Sequence, residues 1–364
     1  MMKALRKYAF DPDYAVPPGA SLKETMEALG MSQRELADRT GLTVQTLHRI
    51  FKGEQPITYE TANRLELVTG APGAFWNKLE AEYRAQLARL AERARLQHDL
   101  AWLKTIPTAE LVARQAIPDS ADKVLLLREV LKFYSVSSVQ AWGTIWKRPA
   151  AAARRSACFA SSPGPTSAWL RLGQLQAQKM ACQPFAKPAF LDALRQIRAL
   201  TIEPPDIFLP RMAQLCADVG VALVCVPEIK HAPWSGAAEW LTPAKAMILL
   251  SFRGKTQDRF WFTFFHEAGH LLHDSKKEQH IDDGKTYADD PTEQRADDFA
   301  AEMLIPRRFD PAIAQARLAA DLESIAQEVG VCPGIVVGRF QHLTHKWTHF
   351  NSLKPKFEWV STSA

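Results

Sequence analysis

His266, Glu267 and His270 fall in the run Phe264-Phe265-His266-Glu267-Ala268-Gly269-His270-Leu271-Leu272-His273. On a helix, residues four apart project from one face, so His266 and His270 can grip a single Zn²⁺. Glu267 lies beside them on the same edge, placed to take a proton from a water on that metal. The surrounding segment 260–272 is otherwise largely apolar, and polar groups buried there without partners would be costly. The spacing therefore predicts a zinc site, one ion per chain, with the layout of a peptidase.

A catalytic zinc usually has three protein ligands plus a water. The stretch Glu293-Gln294-Arg295-Ala296-Asp297-Asp298-Phe299-Ala300-Ala301-Glu302 supplies a candidate. Glu293 and Asp297 are four apart and share a helical face with Ala296, Ala300 and Leu304. Glu302 lies nine positions on, about half a turn round, and is expected to face away. Glu293 then serves as third metal ligand. Asp297 serves as the acceptor that orients a ligand histidine through its other ring nitrogen. Asp297 and His273 compete for the ligand role, and His280 reads as a loop residue. Zinc would polarise the scissile carbonyl and acidify water, with Glu267 passing the proton to the leaving amine. Arg259, Tyr287, Arg339 and His342 all remain open as donors to the developing oxyanion.

These groups need elements to hold them. A helix over 209–218, a buried strand over 219–226 and a second strand over 246–251 precede the histidine helix. The second strand is either an edge to which an extended peptide adds or a plain core strand. Another helix runs over 291–304 and ends before Pro306. Residues 105–200 read as helical, with breaks at Pro107, Pro118 and 161–166, and carry no visible chemistry. Nearer the N-terminus, short helical pieces over 22–29, 32–39, 43–51 and 58–68 are separated by glycines. Ser32, Thr43 and Thr58 suit their N-caps, and Glu35 completes a capping box with Ser32. Pro72 opens a long amphipathic pattern through Ala94 that fades at Gln97 and His98. This helix either pairs in a dimer or packs on its own domain.

The chain has 364 residues, 47% of them hydrophobic and 23% charged, as in an ordinary soluble globular protein with two or three domains. Its five cysteines include no CxxC pair, which argues against a disulfide framework or a thiolate zinc site and for a reducing cytoplasm. The first residues lack the apolar run of a signal peptide, and no stretch of about 20 apolar residues suggests a membrane span. The net charge of +5 is uneven: residues 105–200 hold 13 Lys and Arg against 5 Asp and Glu, whereas residues 1–104 hold 15 against 13. The basic stretch reads equally as support for DNA phosphates or as a solvated helical surface.

Two resemblances follow from these residues. Residues 15–83, from Val16-Pro17-Pro18-Gly19 through Met31-Ser32-Gln33-Arg34-Glu35-Leu36-Ala37 and Gly53-Glu54-Gln55-Pro56-Ile57-Thr58 to Phe75-Trp76, resemble the HigA branch of the Xre-type helix-turn-helix proteins. The resemblance implies an antitoxin or repressor that binds double-stranded operator DNA as a homodimer. Residues from about 205 to 306 resemble the ImmA/IrrE metallopeptidases, gluzincin-like zinc enzymes that cleave regulatory proteins. The match rests on His266-Glu267-Ala268-Gly269-His270 and on the stretch from Glu293 through Phe299-Ala300-Ala301-Glu302-Met303-Leu304-Ile305-Pro306. The joined architecture also resembles a known type, whose closing segment is similar to Gly338-Arg339-Phe340-Gln341-His342 and Asn351-Ser352-Leu353-Lys354.

In such helix-turn-helix domains the second helix enters the major groove and reads base edges with its N-terminal half. Here that helix spans 43–52. Leu47, Ile50 and Phe51 turn to the core, so Gln45, Thr46 and Arg49 face outward, where Gln pairs with adenine and Arg with guanine. Gln33 and Lys52, with His48 beside them, suit phosphate contacts.

The expected fold is mainly α with a smaller α+β part. A lambda-repressor-like helix-turn-helix domain with a long following helix covers 15–104, and a helical segment of unassigned role covers 105–204. A zincin-like HExxH domain with a short β-sheet covers 205–364. The expected function is a cytoplasmic DNA-binding regulator whose zinc endopeptidase domain cleaves a protein partner. The alternative is a non-catalytic repressor or antitoxin whose zinc domain binds a toxin or senses a ligand.

Overall fold

The computed structural model describes residues 12–146, 163–232, 234–253, 255–275, 280–282 and 290–358. The chain divides into two compact units, Met1–Leu100 and Ala101–Ala364.

The first unit is built of α1 (Pro18–Ala28), α2 (Gln33–Thr40), α3 (Val44–Phe51), α4 (Tyr59–Thr69) and α5 (Gly73–His98). Three of these start where a side-chain oxygen satisfies an orphan amide. Ser32, Thr43 and Thr58 accept from the backbone N–H of Glu35, Thr46 and Thr61. Helix α1 begins four residues earlier than the apolar pattern suggests, because Pro18 is preorganised for a first turn. Leu22, Leu36, Leu47, Ile50, Leu65 and Trp76 pack into one core. The buried Glu80 of α5 accepts from the Ile57 amide at 3.0 Å and from Arg84 at 2.7 Å, tying the turn before α4 to the long helix.

The second unit opens with α6 (Thr108–Ala113), α7 (Lys123–Phe133), α8 (Val139–Trp146), α9 (Pro163–Lys179), α10 (Lys187–Ala199) and α11 (Pro205–Ala217). The Pro/Gly cluster that reads as a break over 161–166 is, in its described part, the first turn of α9, a place where proline is welcome. A four-stranded sheet follows, with β1 (Val221–Cys225), β2 (Gly236–Thr242), β3 (Lys245–Leu250) and β4 (His280–Asp282) in the order β1-β3-β2-β4. Helix α12 (Gln257–His273) lies between β3 and β4 in the chain, and α13 (Pro291–Leu304) comes after. The unit closes with α14 (Asp310–Gln315), α15 (Ala319–Val329) and α16 (Pro333–Thr344).

Strand β3 pairs parallel with β1 and antiparallel with β2, so it is central and not an edge. One face carries Ile248 and Leu250 into the core shared with α12. The other presents Leu249 to α9, where an added Cβ on Gly173 would lie 2.6 Å from Leu249 Cδ2. Burial on both faces explains the unbroken apolar run, and it rules β3 out as the strand on which a peptide adds. Strand β2 has no counterpart in the sequence expectation, and His280, read as a loop residue, begins the short β4.

In the first unit α1 sits directly on the end of α3. A Cβ on Gly19 would lie 2.1 Å from the Ile50 carbonyl oxygen and 2.4 Å from Phe51 Cα. Both are backbone atoms with little room to move, so Gly19→Ala should cost about 1–3 kcal/mol by overpacking. The expected readout is faster amide exchange across α1 and α3 in the intact chain. Unchanged exchange there would show that the two helices can separate without penalty.

Candidate functional site

Helix α12 is buried along almost its whole length, with its apolar side chains in the core beneath the sheet. Helix α13 crosses it closely. A Cβ on Gly269 would lie 3.1 Å from Ala296 Cα, so two small residues set the separation of the helices at this point. One helical turn before Ala296, that approach delivers Glu293 to the two histidines.

His266 Nε2 lies 3.2 Å from Glu293 Oε2, His270 Nε2 lies 3.6 Å from the same oxygen, and the two Nε2 atoms are 3.0 Å apart. One ligand atom from each of the three residues falls within 4.8 Å of the others. The opposite ring nitrogens are each held by a carboxylate. His266 Nδ1 meets Asp297 Oδ1 at 2.9 Å, and His270 Nδ1 meets Asp274 Oδ2 at 2.6 Å. An imidazole that donates its Nδ1–H to a carboxylate presents the Nε2 lone pair inward, which is the tautomer a cation needs.

The electrostatics favour positive charge at this point. Burial opposes charging His270, but hydrogen bonds to Asp274 and Glu293 outweigh it and push its pKa up to about 9. Burial also works against ionising Glu293, yet hydrogen bonds from His266 and His270 hold its carboxyl well below the usual range. Two imidazoles and one ionised carboxylate, converging in a buried site, are a fitting donor set for zinc.

Glu267 is fully buried beside this cluster. Its Oε1 would lie 2.6 Å from a Cβ on Gly236, so the bare backbone at the start of β2 closes over the carboxylate. Of the competitors for third ligand, Asp297 stands behind His266, and the exposed His273 ring is turned onto Phe299 at 5.4 Å. Glu302 is exposed and accepts from the Arg307 amide, away from the cluster. Arg339 is committed to Asp310 at 2.7 and 2.8 Å, His342 is exposed, and Tyr287 lies outside the described residues. Asp274 and Gly236 are the two contributors that the sequence reading missed. Asp274 was open to detection, because it stands four residues after His270, the same spacing that pointed to Glu293 and Asp297. Gly236 carries no local signal.

In the first unit, Leu47 and Ile50 of α3 are buried, while Gln45, Arg49 and Lys52 are exposed at positions i, i+4 and i+7. Thr46 is half-buried, with its hydroxyl 2.9 Å from that of Thr43. Gln33 Nε2 donates to the Val44 carbonyl at 3.0 Å, which locks the start of α2 to the start of α3. Of the five residues named as DNA contacts, Gln45, Arg49 and Lys52 thus share one exposed face of α3, while Thr46 is half-buried and Gln33 stands on α2 with its side chain on the Val44 carbonyl.

Asp274 also accepts from Arg295 at 2.8 Å, so α13 braces both histidines as well as offering Glu293. Removing such a carboxylate typically costs about 10–100-fold in metal affinity. Asp274→Ala is expected to lose zinc to a competing chelator about that much more readily than the wild type. Equal retention would show that His270 needs no orienting partner.

Residues 228–341 match a peptidase family model described as IrrE N-terminal-like domain, and residues 22–76 match a model described as Helix-turn-helix. No curated protein matches the chain. Among the described residues no helix is long and apolar enough to cross a membrane. The chain therefore joins an N-terminal Xre-like helix-turn-helix domain, the mark of a DNA-binding regulator, to a C-terminal IrrE/ImmA-like domain of peptidase type.

Proposed function

We propose that this protein is a DNA-binding regulator that hydrolyses a protein partner at a zinc centre held by His266, His270 and Glu293. The observation that carries the reading is the convergence of those three ligand atoms beside a fully buried Glu267. A zinc ion bound there would act as a Lewis acid toward the scissile carbonyl and would lower the pKa of water. Glu267 accepts the proton of the attacking water and returns it to the leaving amine. Gly236 leaves room for the Glu267 carboxylate and at the same time limits where it can move. Asp297 and Asp274 keep the imidazoles in the ligand tautomer.

In this reading residues 15–104 serve DNA binding, residues 205–364 serve proteolysis, and the protein acts in the cytoplasm as a HigA-like homodimer on a two-fold operator. Gln45, Thr46 and Arg49 read bases, while Gln33 and Lys52 hold phosphates. The competing reading keeps the repressor or antitoxin and gives the zinc domain a toxin or a ligand to bind without turnover. A general base placed against the metal ligands favours hydrolysis, because a purely binding site has no use for one.

Metal analysis of the purified protein should find about one zinc per chain, lost in both His266→Ala and Glu293→Ala. Glu267→Gln should keep the zinc and abolish cleavage of the partner protein. A chelator-free wild type without zinc would return the chain to the non-catalytic reading, whereas full cleavage by the Gln variant would remove Glu267 from the role of general base. On duplexes selected from a random pool, Arg49→Ala should weaken binding by about 1–3 kcal/mol and relax the preference at one base. Unchanged affinity would remove Arg49 from the interface.

A further inference from the structure

The connection from β1 to β2, residues 226–235, contains no helix or strand among its described residues, yet it is held at successive points. Most of the holds come from the helical segment 105–204, to which the sequence assigns no chemistry. Arg114, the residue that ends α6, donates from its two terminal nitrogens to the carbonyls of Pro227 at 2.9 Å and Glu228 at 2.8 Å. Glu110, one turn earlier, accepts from Arg114 at 2.5 Å and from the Lys230 amide at 3.2 Å. Helix α9 takes the two ends. Trp169 Nε1 donates to the Val226 carbonyl at 3.1 Å, and Thr166, three residues earlier, accepts from Trp234 Nε1 at 2.9 Å. The chain just before α6 is itself seated on α9, where a Cβ on Gly164 would lie 1.8 Å from the Thr105 carbonyl oxygen.

The holds continue to the general base. Ser251, just past β3, donates its hydroxyl to the Trp234 carbonyl at 2.5 Å and its amide to the Ser235 carbonyl at 2.9 Å. The next residue is Gly236, on which a Cβ would lie 2.6 Å from Glu267 Oε1. The connection therefore ends on the backbone that confines the carboxylate. Midway along it, His231 has a φ of 67°, a left-handed conformation that residues with a side chain adopt sparingly. Such a conformation persists where the surroundings over-determine it. A planar guanidinium spanning two successive carbonyls is a hold that the single ammonium of lysine reproduces only in part.

We infer that Arg114, backed by Glu110, is a positioning residue for Glu267: it keeps the β1–β2 connection in the path that lays Gly236 over the carboxylate. The inference rests on the peptidase reading above and gives residues 105–204 a part in it. Released from Arg114, the connection relaxes at His231, and the start of β2 no longer presses on Glu267. The carboxylate then has more than one place to stand, and a general base works only within hydrogen-bond reach of the proton it takes.

Two measurements on the full chain separate this role from a merely structural one. Amide exchange over residues 227–238, in the metal-free and the zinc-loaded protein, should quicken about tenfold in Arg114→Ala and by less in Arg114→Lys. Exchange over α15 and α16 should keep the wild-type rate in both variants. Arg339→Ala, which breaks the ion pair with Asp310 in the same unit, should leave residues 227–238 unchanged. Zinc-loaded chains are then titrated with acetohydroxamate, which gives up a proton to a neighbouring base as it ligates zinc. Arg114→Ala should bind it about tenfold more weakly at unchanged zinc content, with Arg114→Lys in between. In a Glu267→Gln background the same substitution should have no further effect, since both act through one carboxylate. Unchanged exchange over 227–238, exchange quickened equally through the whole unit, or equal weakening of acetohydroxamate binding with and without Glu267 would overturn the positioning role alone. Failure of the zinc-loaded wild type to bind acetohydroxamate would overturn the peptidase reading together with the positioning role.

Discussion

The distance between α12 and α13 at Gly269 and Ala296 governs the whole cluster of polar groups in the second unit. With a larger residue at either position the helices would stand further apart, and Glu293 would no longer reach the two Nε2 atoms. The same close approach places Asp297 behind His266 and Arg295 over Asp274. One helix thus brings Glu293 to the cluster, orients one imidazole directly and orients the other through an intermediate carboxylate. Such a concentration of polar groups in a buried place is tolerable because Glu293 lies against both imidazoles and a carboxylate stands behind each of them.

The sheet and the remaining helices serve to keep α12 in place. Its apolar faces lie against β2, β3, α13 and α16, and the start of β2 presses bare backbone onto Glu267. In the first unit the corresponding role falls to Glu80, whose buried carboxylate fixes the turn before α4, and to Gln33, which fixes the angle between α2 and α3. The two units therefore solve the same problem, the rigid presentation of one helix, by different means. One uses packing and charged pairs, the other uses caps and short side-chain bridges.

Much of this was legible because it is local. Capping oxygens act three residues away, and the His266/His270 and Glu293/Asp297 pairs follow from helical periodicity alone. The family likenesses to an Xre-type helix-turn-helix and to IrrE/ImmA-like peptidases were carried by the same short stretches. What stayed hidden is long-range. Strand β2 begins Gly236-Ala237-Ala238, a composition with little strand character, and its pairing with β3 and β4 depends on partners elsewhere in the chain. The central position of β3 could not be separated from an edge position by an apolar run. The role of Gly236 comes from what is missing at that residue, which no pattern of side chains can signal.

Helix α9 lies about 70 residues before β3 in sequence, yet it covers one face of the sheet, with Gly173 seated on Leu249. A fragment cut to begin at residue 205 would retain His266, His270 and Glu293 and the whole of α12. It would also leave the Leu249 side of β3 wet, together with the neighbouring residues of β1. An uncovered apolar sheet face of that kind promotes association, so such a fragment would be expected to precipitate for reasons unrelated to its chemistry. Helices with no reactive group of their own thus help set the minimum length of chain in which the centre can be kept in solution.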